Sequence, residues 1–232
     1  MPGPVEAAAP RSLHFEYWSD PLCIWAYVAQ GKLERVIEEW GPHLSIRYRI
    51  VPVFGSLPRR FASGSWSAEG PAGRRVATAE VARAQGCHGV SGDLWTGDMP
   101  SSSWPAGAAA KAVFLLEQRG EAGPGSGAAY LRALRRRAFE ANENICRRVV
   151  QLSVAEETGV DPQRLDALLD DGLPFALLAG EDEDRRTAGV RGSPSYVFDG
   201  GRAVLYGNFP FEVLHSTMEQ LLRGLGIGAS AC

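Results

Sequence analysis

LHFEYWSDPLCIWAYVAQGKLERVIEEWGPHLSIRYRIVPV, residues 13–53, is the stretch whose reading decides how this chain folds. Its opening, 13–18, alternates and is rich in aromatic side chains, the composition of a half-buried strand. Ser19, Asp20 and Pro21 then break the pattern. Across 24–40 apolar residues return at Trp25, Val28, Ala29, Leu33, Val36 and Ile37, a spacing that predicts one helix stopped by Gly41 and Pro42. Residues 45–53 alternate again, with Arg47 and Arg49 opposite Ile46, Tyr48 and Ile50. A helix of this length between two strands is the usual crossover of a parallel pair, so 13–53 is expected to form a right-handed βαβ unit.

Outward from this unit the sequence changes character. Residues 54–105 are rich in Gly, Ser, Pro and Trp and read as loops around one short helix at 75–84. Ser103, Trp104 and Pro105 form a helix start, with serine as cap and proline in the first turn, leading through an Ala-rich run to Gln118. Further helices are expected over 128–141, 147–158, 162–169 and 175–188. Residues 195–199 and 202–206 read as strands joined by Gly200 and Gly201, and 210–225 as a closing helix. The order is β-α-β, helices, β-β-α. That is an α/β chain with the layout of a thioredoxin-like fold interrupted by a helical insertion: 13–55 and 189–225 form the thioredoxin-like domain and 56–188 the insertion, with a disordered arm at 1–12 and a flexible tail at 226–232.

Composition bounds the function. A chain of 232 residues with 45% apolar and 22% charged residues fits one compound globular domain rather than a disordered or fibrous chain. A formal charge of -3 argues against a nucleic-acid partner. The one basic cluster, Arg132, Arg135, Arg136, Arg137, Arg147 and Arg148, is interleaved with Leu131, Leu134 and Phe139 at helical spacing and is expected to be a solvated helix face. No segment approaches the ~18 uncharged apolar residues of a transmembrane helix, and the opening residues carry no signal-like apolar run. The expectation is therefore no membrane partner, a cytoplasmic location, and four cysteines kept reduced.

Function then rests on a thiol. Cys23 directly follows the first strand at the point where the helix begins. There unpaired N–H groups and the positive end of the helix dipole stabilise a thiolate and lower a cysteine below its free pKa of ~8.5. The alternative is a small buried apolar residue, the usual state of a free cysteine.

The residues around Cys23 carry a resemblance. Asp20-Pro21-Leu22-Cys23-Ile24-Trp25-Ala26-Tyr27 resembles the active-site segment of DsbA-like and FrnE-like members of the thioredoxin superfamily, frequently Asp-Pro-x-Cys-x-Trp-Cys-Tyr. Gly189-Val190-Arg191-Gly192-Ser193-Pro194 is similar to their Gly-Val-x-Gly-x-Pro segment, whose proline is cis. The resemblance covers 13–225 and implies Cys23 as catalytic nucleophile, with Asp20, Pro21, Trp25, Ser193 and Pro194 around the substrate. A residue before a cis proline keeps its backbone groups free to pair with an extended substrate. The chain departs from the pattern at Ala26, where a dithiol enzyme keeps its resolving cysteine. Release of a mixed disulfide would need glutathione, a protein thiol or a distant cysteine such as Cys232 or Cys87.

A third segment, Ser102-Ser103-Trp104-Pro105-Ala106, resembles the Asn-Thr-x-x-Ala of FrnE-like proteins and of 2-hydroxychromene-2-carboxylate isomerases, which share this fold with kappa-class glutathione transferases. That would put Ser102 and Ser103 at the active site; the alternative is a simple helix cap. Trp18 and Trp25 line a substrate groove or fill an interface. Cys87 beside His88 has no second ligand pair at zinc-finger spacing, so no metal is expected. Cys146 is expected to pack in a helical interface.

Three functions stay open: a single-cysteine thiol oxidoreductase acting on a thiol or disulfide, small molecule or peptide; a glutathione-dependent isomerase or transferase, for which one thiol suffices; and a non-catalytic adaptor. No tightly bound cofactor is expected, glutathione is a candidate cosubstrate, and a monomer and a homodimer both stay open.

Overall fold

A computed structural model of the chain describes residues 12–223, so all but the last residue of the arm expected at 1–12, the end of the closing helix expected to reach 225, and the tail expected at 226–232 with Cys232 lie outside the described residues. β1 (Leu13–Ser19) feeds α1 (Ile24–Val28) and α2 (Gln30–Trp40), then β2 (Leu44–Ile50). A helical block succeeds β2: α3 (Leu57–Ala62), α4 (Gly70–Ala84), α5 (Trp104–Gln118), α6 (Ser126–Phe139), α7 (Arg148–Glu157), α8 (Pro162–Asp171) and α9 (Leu173–Thr187). The hairpin β3 (Ser195–Phe198) and β4 (Ala203–Tyr206) and the helix α10 (Phe211–Leu222) complete the chain. One four-stranded sheet runs in the order β2-β1-β3-β4. β1 is parallel to β2, with Leu13 opposite Leu44, and antiparallel to β3, with Tyr17 opposite Tyr196. This is the expected α/β thioredoxin-like topology.

The single helix expected over 24–40 is two, divided at Ala29. The reason is that its apolar residues serve different layers. Ile24, Ala26 and Val28 join the core shared with the insertion helices, whereas Leu33 and Val36 join Phe15, Tyr17, Phe198 and Met218 between the sheet and α10. The expected helix at 75–84 begins earlier, at Gly70, because Pro71 fits a first helical turn. β2 stops at Ile50, short of Val53.

Two charged positions are more deeply buried than amphipathic spacing implies. Arg49 does lie opposite Ile46 and Tyr48, but α9 covers that face: its guanidinium sits 4.6 Å over Trp18 and pairs with Glu181 and Asp184. Arg135 is not on a solvated face. It is 1% exposed and donates to the Gln30 and Ser19 side chains, because α6 rolls that position toward α1 while Arg132 and Arg136 stay outside.

Glu181 fastens the end of β2 to the insertion. Its buried carboxylate accepts from the Ile50 N–H at 2.9 Å and pairs with Arg49 at 3.2 Å and Lys111 of α5 at 2.5 Å. Removing one member of such a group strands the other charges in a dry site. Glu181→Ala is expected to lower unfolding free energy by about 3 kcal/mol, read from urea denaturation; a change within error would mean that Asp184 and Glu16 alone compensate Arg49.

Candidate functional site

The turn between β1 and α1 is built around Asp20, which is 0% exposed. One carboxylate oxygen accepts from the Leu22 N–H at 2.8 Å, holding the turn. The other accepts from the Phe54 N–H at 3.2 Å, just beyond β2, and from the Ser103 hydroxyl at 2.6 Å, at the head of α5. The Asp20 N–H itself donates to Ser193 Oγ at 2.9 Å. One residue thus draws together segments from three distant parts of the chain. No cation among the described residues pairs with it; burial raises its pKa from 3.8 to about 6, against the pull of the Ser103 hydroxyl and the backbone N–H groups.

Above this carboxylate, Cys23 is the N-cap of α1. Its Sγ–H donates to the Ser193 carbonyl at 3.2 Å across 170 residues of sequence, and the Ser193–Pro194 bond is cis. The two motifs meet. Ionisation differs from the expectation, however. Cys23 is 5% exposed, and burial raises its pKa above 9.0. The Ser193 hydroxyl and the N–H groups of Ala26 and Trp25 favour the thiolate as the helix-end argument requires, but loss of hydration outweighs them and the Asp20 carboxylate opposes them. Where the strand-to-helix position predicts a lowered pKa, burial raises it and favours the neutral thiol. The Ser193 carbonyl is likewise engaged by that thiol rather than free.

Beside the sulfur lies an open cleft of about 430 Å³, lined by Trp25, Ser193, Tyr206, Gly207, Asn208 and Phe209. Cys23 stands behind its Ser193 wall. Trp25 is 42% exposed in this cleft, whereas Trp18 is wholly buried in the core. Asp20 and Pro21 are buried beneath the cleft, outside its lining. Ser103 does not cap its helix through its side chain; its hydroxyl is spent on Asp20, and the Ser102 hydroxyl accepts from the Trp104 N–H instead. Ser102 lines a separate pocket with Cys146, whose thiol donates to the Ser102 carbonyl at 2.9 Å and is pushed up to about 12 by burial. Cys23, Cys87 and Cys146 are all free thiols.

Tyr206, Asn208 and Phe209 carry no motif of their own in the sequence. The signal that could have found them is the hairpin: pairing Ser195 with Tyr206 brings 206–209 beside Pro194, and the Gly207 N–H donates to the Pro194 carbonyl at 2.9 Å.

The same arrangement of elements has counterparts among known proteins. The family described as DSBA-like thioredoxin domain matches residues 15–219. A Nitrosomonas europaea protein provisionally described as a protein disulfide isomerase superposes with a TM-score of 0.73 at 16% identity, over 93% of this chain and 100% of that one. The cytosolic disulfide reductase DsbM from Pseudomonas aeruginosa gives 0.66 at 23% identity, over 90% and 99%. The ClpXP adapter protein SpxH of Halalkalibacterium halodurans is 24% identical over 219 residues, 91% of this chain and 68% of its own length.

Two measurements test the electrostatics. The folded Asp20 carboxyl keeps its proton up to about pH 6, whereas the unfolded one releases it near 3.8. Stability is therefore lost as pH rises between those values, by about 3 kcal/mol for a shift of about two units. The stability of Asp20→Asn relative to the parent is expected to rise by that amount between about pH 3.5 and pH 7; a difference that is flat with pH would assign the carboxyl an ordinary pKa. Alkylation of Cys23 by iodoacetamide is expected to be slower at neutral pH than that of a free cysteine, its rate still climbing above pH ~9. A plateau below neutrality would identify a resident thiolate.

Proposed function

The chain belongs to the DSBA-like thioredoxin domain family, and from that premise we propose that it is a single-cysteine thiol oxidoreductase whose nucleophile is Cys23. The observation that carries this reading is the meeting of the Cys23 sulfur with the Ser193 carbonyl before the cis proline, at the edge of a cleft with an aromatic lining. Trp25, Tyr206 and Phe209 offer apolar and aromatic faces to the substrate, and Ser193 offers its backbone once the Cys23 thiol lets go of it. Nothing in this chemistry calls for a metal.

The step is thiol-disulfide exchange. Cys23 gives up its proton, its sulfur attacks one sulfur of the bound disulfide, an S–S bond forms to Cys23, and the other substrate sulfur leaves as a thiolate that takes up a proton. With Ala26 buried where a resolving thiol would stand, the mixed disulfide waits for an external thiol. One glutathione attacks the Cys23 sulfur, the second substrate sulfur leaves as a thiol and Cys23 is left joined to glutathione. A second glutathione attacks the glutathione sulfur of that adduct, Cys23 returns as a thiol, and the two electrons that reduced the substrate come from the two glutathiones, which leave as one disulfide. Such a cycle suits the reducing cytoplasm. It also accommodates a neutral resting thiol: the nucleophile is generated when a docked substrate takes over the Ser193 carbonyl, which ends the hydrogen bond that holds the thiol proton.

A second reading, a non-catalytic adaptor, is favoured by the buried neutral thiol together with Ala26, and the similarity to an adapter protein accords with it. In that case the cleft binds a protein segment and the sulfur is a packing group. Cys23→Ser separates the two. Under the oxidoreductase reading it abolishes glutathione-dependent reduction of a model disulfide, and mass spectrometry finds the glutathione adduct on the parent chain at Cys23 and none on the variant. Undiminished turnover by Cys23→Ser would remove the proposed nucleophile; a parent chain that never forms an adduct and never turns over leaves the adaptor. Turnover of an aromatic substrate with no net oxidation of glutathione would identify an isomerase.

A further inference from the structure

Outside the cleft, where α4 packs on α1, two arginines stand over a box of aromatic rings. Phe54, whose N–H is bound by Asp20, packs against Trp66 at 5.4 Å, and Trp66 meets Trp95 edge-on at 5.5 Å. The Trp95 indole N–H donates to the Thr78 hydroxyl at 2.8 Å, which fixes the ring to α4. α4 packs on α1, the helix that Cys23 caps. On this box Arg74 lies 4.2 Å over Trp66 and 5.7 Å from Trp95, and Arg60 lies 4.8 Å over the same Trp66 and 5.2 Å over Phe54.

The pair is unbalanced. Arg60 spends its guanidinium on the Val53 carbonyl and the Ser65 hydroxyl, neither of which removes its charge. Arg74 has a buried Nε–H with no hydrogen-bond partner among the described residues; burial disfavours its charge and Arg60 adds repulsion. Glu69 acts on it only through space, and an ionised Cys23 would favour its charge more. Two like charges sharing one indole, one of them with a buried orphaned donor, are costly unless an anion completes them. Stacking occupies the guanidinium face and leaves the donor edges, the geometry that takes a carboxylate in two parallel hydrogen bonds.

We propose that Arg74 and Arg60 form a carboxylate receptor that selects the thiol reacting at Cys23, so that the substrate class is a small carboxylated thiol or disulfide, of which glutathione is one, rather than a neutral one. This rests on the oxidoreductase reading and names its substrate class. A carboxylate held there neutralises the arginine pair and sets the reacting sulfur beside Cys23 in the same event.

Binding and reaction are measured separately. S-methylglutathione cannot exchange, and calorimetry with the Cys23→Ser chain reads the receptor alone. Saturable binding is expected, about tenfold weaker in Arg74→Gln, and lost when both carboxylates of the ligand are esterified, an arm that needs no change at Arg74. Equal binding of ester and acid, or no binding of either, overturns the receptor. Kinetically, Cys23 in the otherwise unaltered chain is expected to react faster with oxidised glutathione than with hydroxyethyl disulfide, and Arg74→Gln to abolish that preference. Equal rates for the two disulfides overturn the receptor and leave the oxidoreductase reading standing; reaction with neither sinks that reading while calorimetry still decides the receptor.

Discussion

The carboxylate of Asp20 is buried without a counter-cation among the described residues and is held only by hydrogen-bond donors: the N–H groups of Leu22 and Phe54 and the hydroxyl of Ser103. Each donor belongs to a different segment, and the residue's own N–H reaches a fourth at Ser193. Such an arrangement is costly to bury and more costly to half-satisfy, so the four segments are constrained to arrive together. The position of Cys23, three residues on, comes from this constraint, as does the approach of the Ser193–Pro194 loop. The insertion is coupled to the site by the same carboxylate, through Ser103 at the head of α5.

At Cys23 two physical effects of opposite sign compete. The first turn of α1 offers N–H groups to the sulfur, and the Ser193 hydroxyl adds to them; burial beneath the cleft wall and the negative carboxylate below oppose both. Helix ends contribute modestly and only at close range, whereas removing an ionised sulfur from water costs several times more. Desolvation wins and the pKa of the thiol is raised. The same burial that raises the thiol's pKa sets the sulfur against the Ser193 carbonyl, so its ionisation and its place behind the cleft wall have one cause.

Much of the frame is legible in the residue order. The alternation at 13–18, the helical spacing after it, and the Gly200-Gly201 turn between two short strands each express a local period, and local periods survive folding. The helix break at Ala29 is not legible, because both halves carry good apolar spacing and only the presence of two different cores gives them different faces. Arg49 and Arg135 read as exterior for a related reason: spacing tells which side of an element a residue occupies, not whether another helix covers that side. Ser103 has the sequence context of a helix cap, yet its hydroxyl serves a carboxylate 83 residues earlier.

What residue order alone determined is the succession β-α-β, helices, β-β-α, the place of a lone cysteine at a strand-to-helix turn, and the absence of a thiol at Ala26. Covalent order and local period suffice for these. Tertiary structure decided that Cys23 meets Ser193, that Tyr206 and Phe209 share a cleft with Ser193, that Arg60 and Arg74 stand together on one indole, and that burial raises the pKa of the thiol. Each of these depends on dielectric and distance between residues far apart in the chain, quantities that exist only once water has been excluded and the segments have closed on one another.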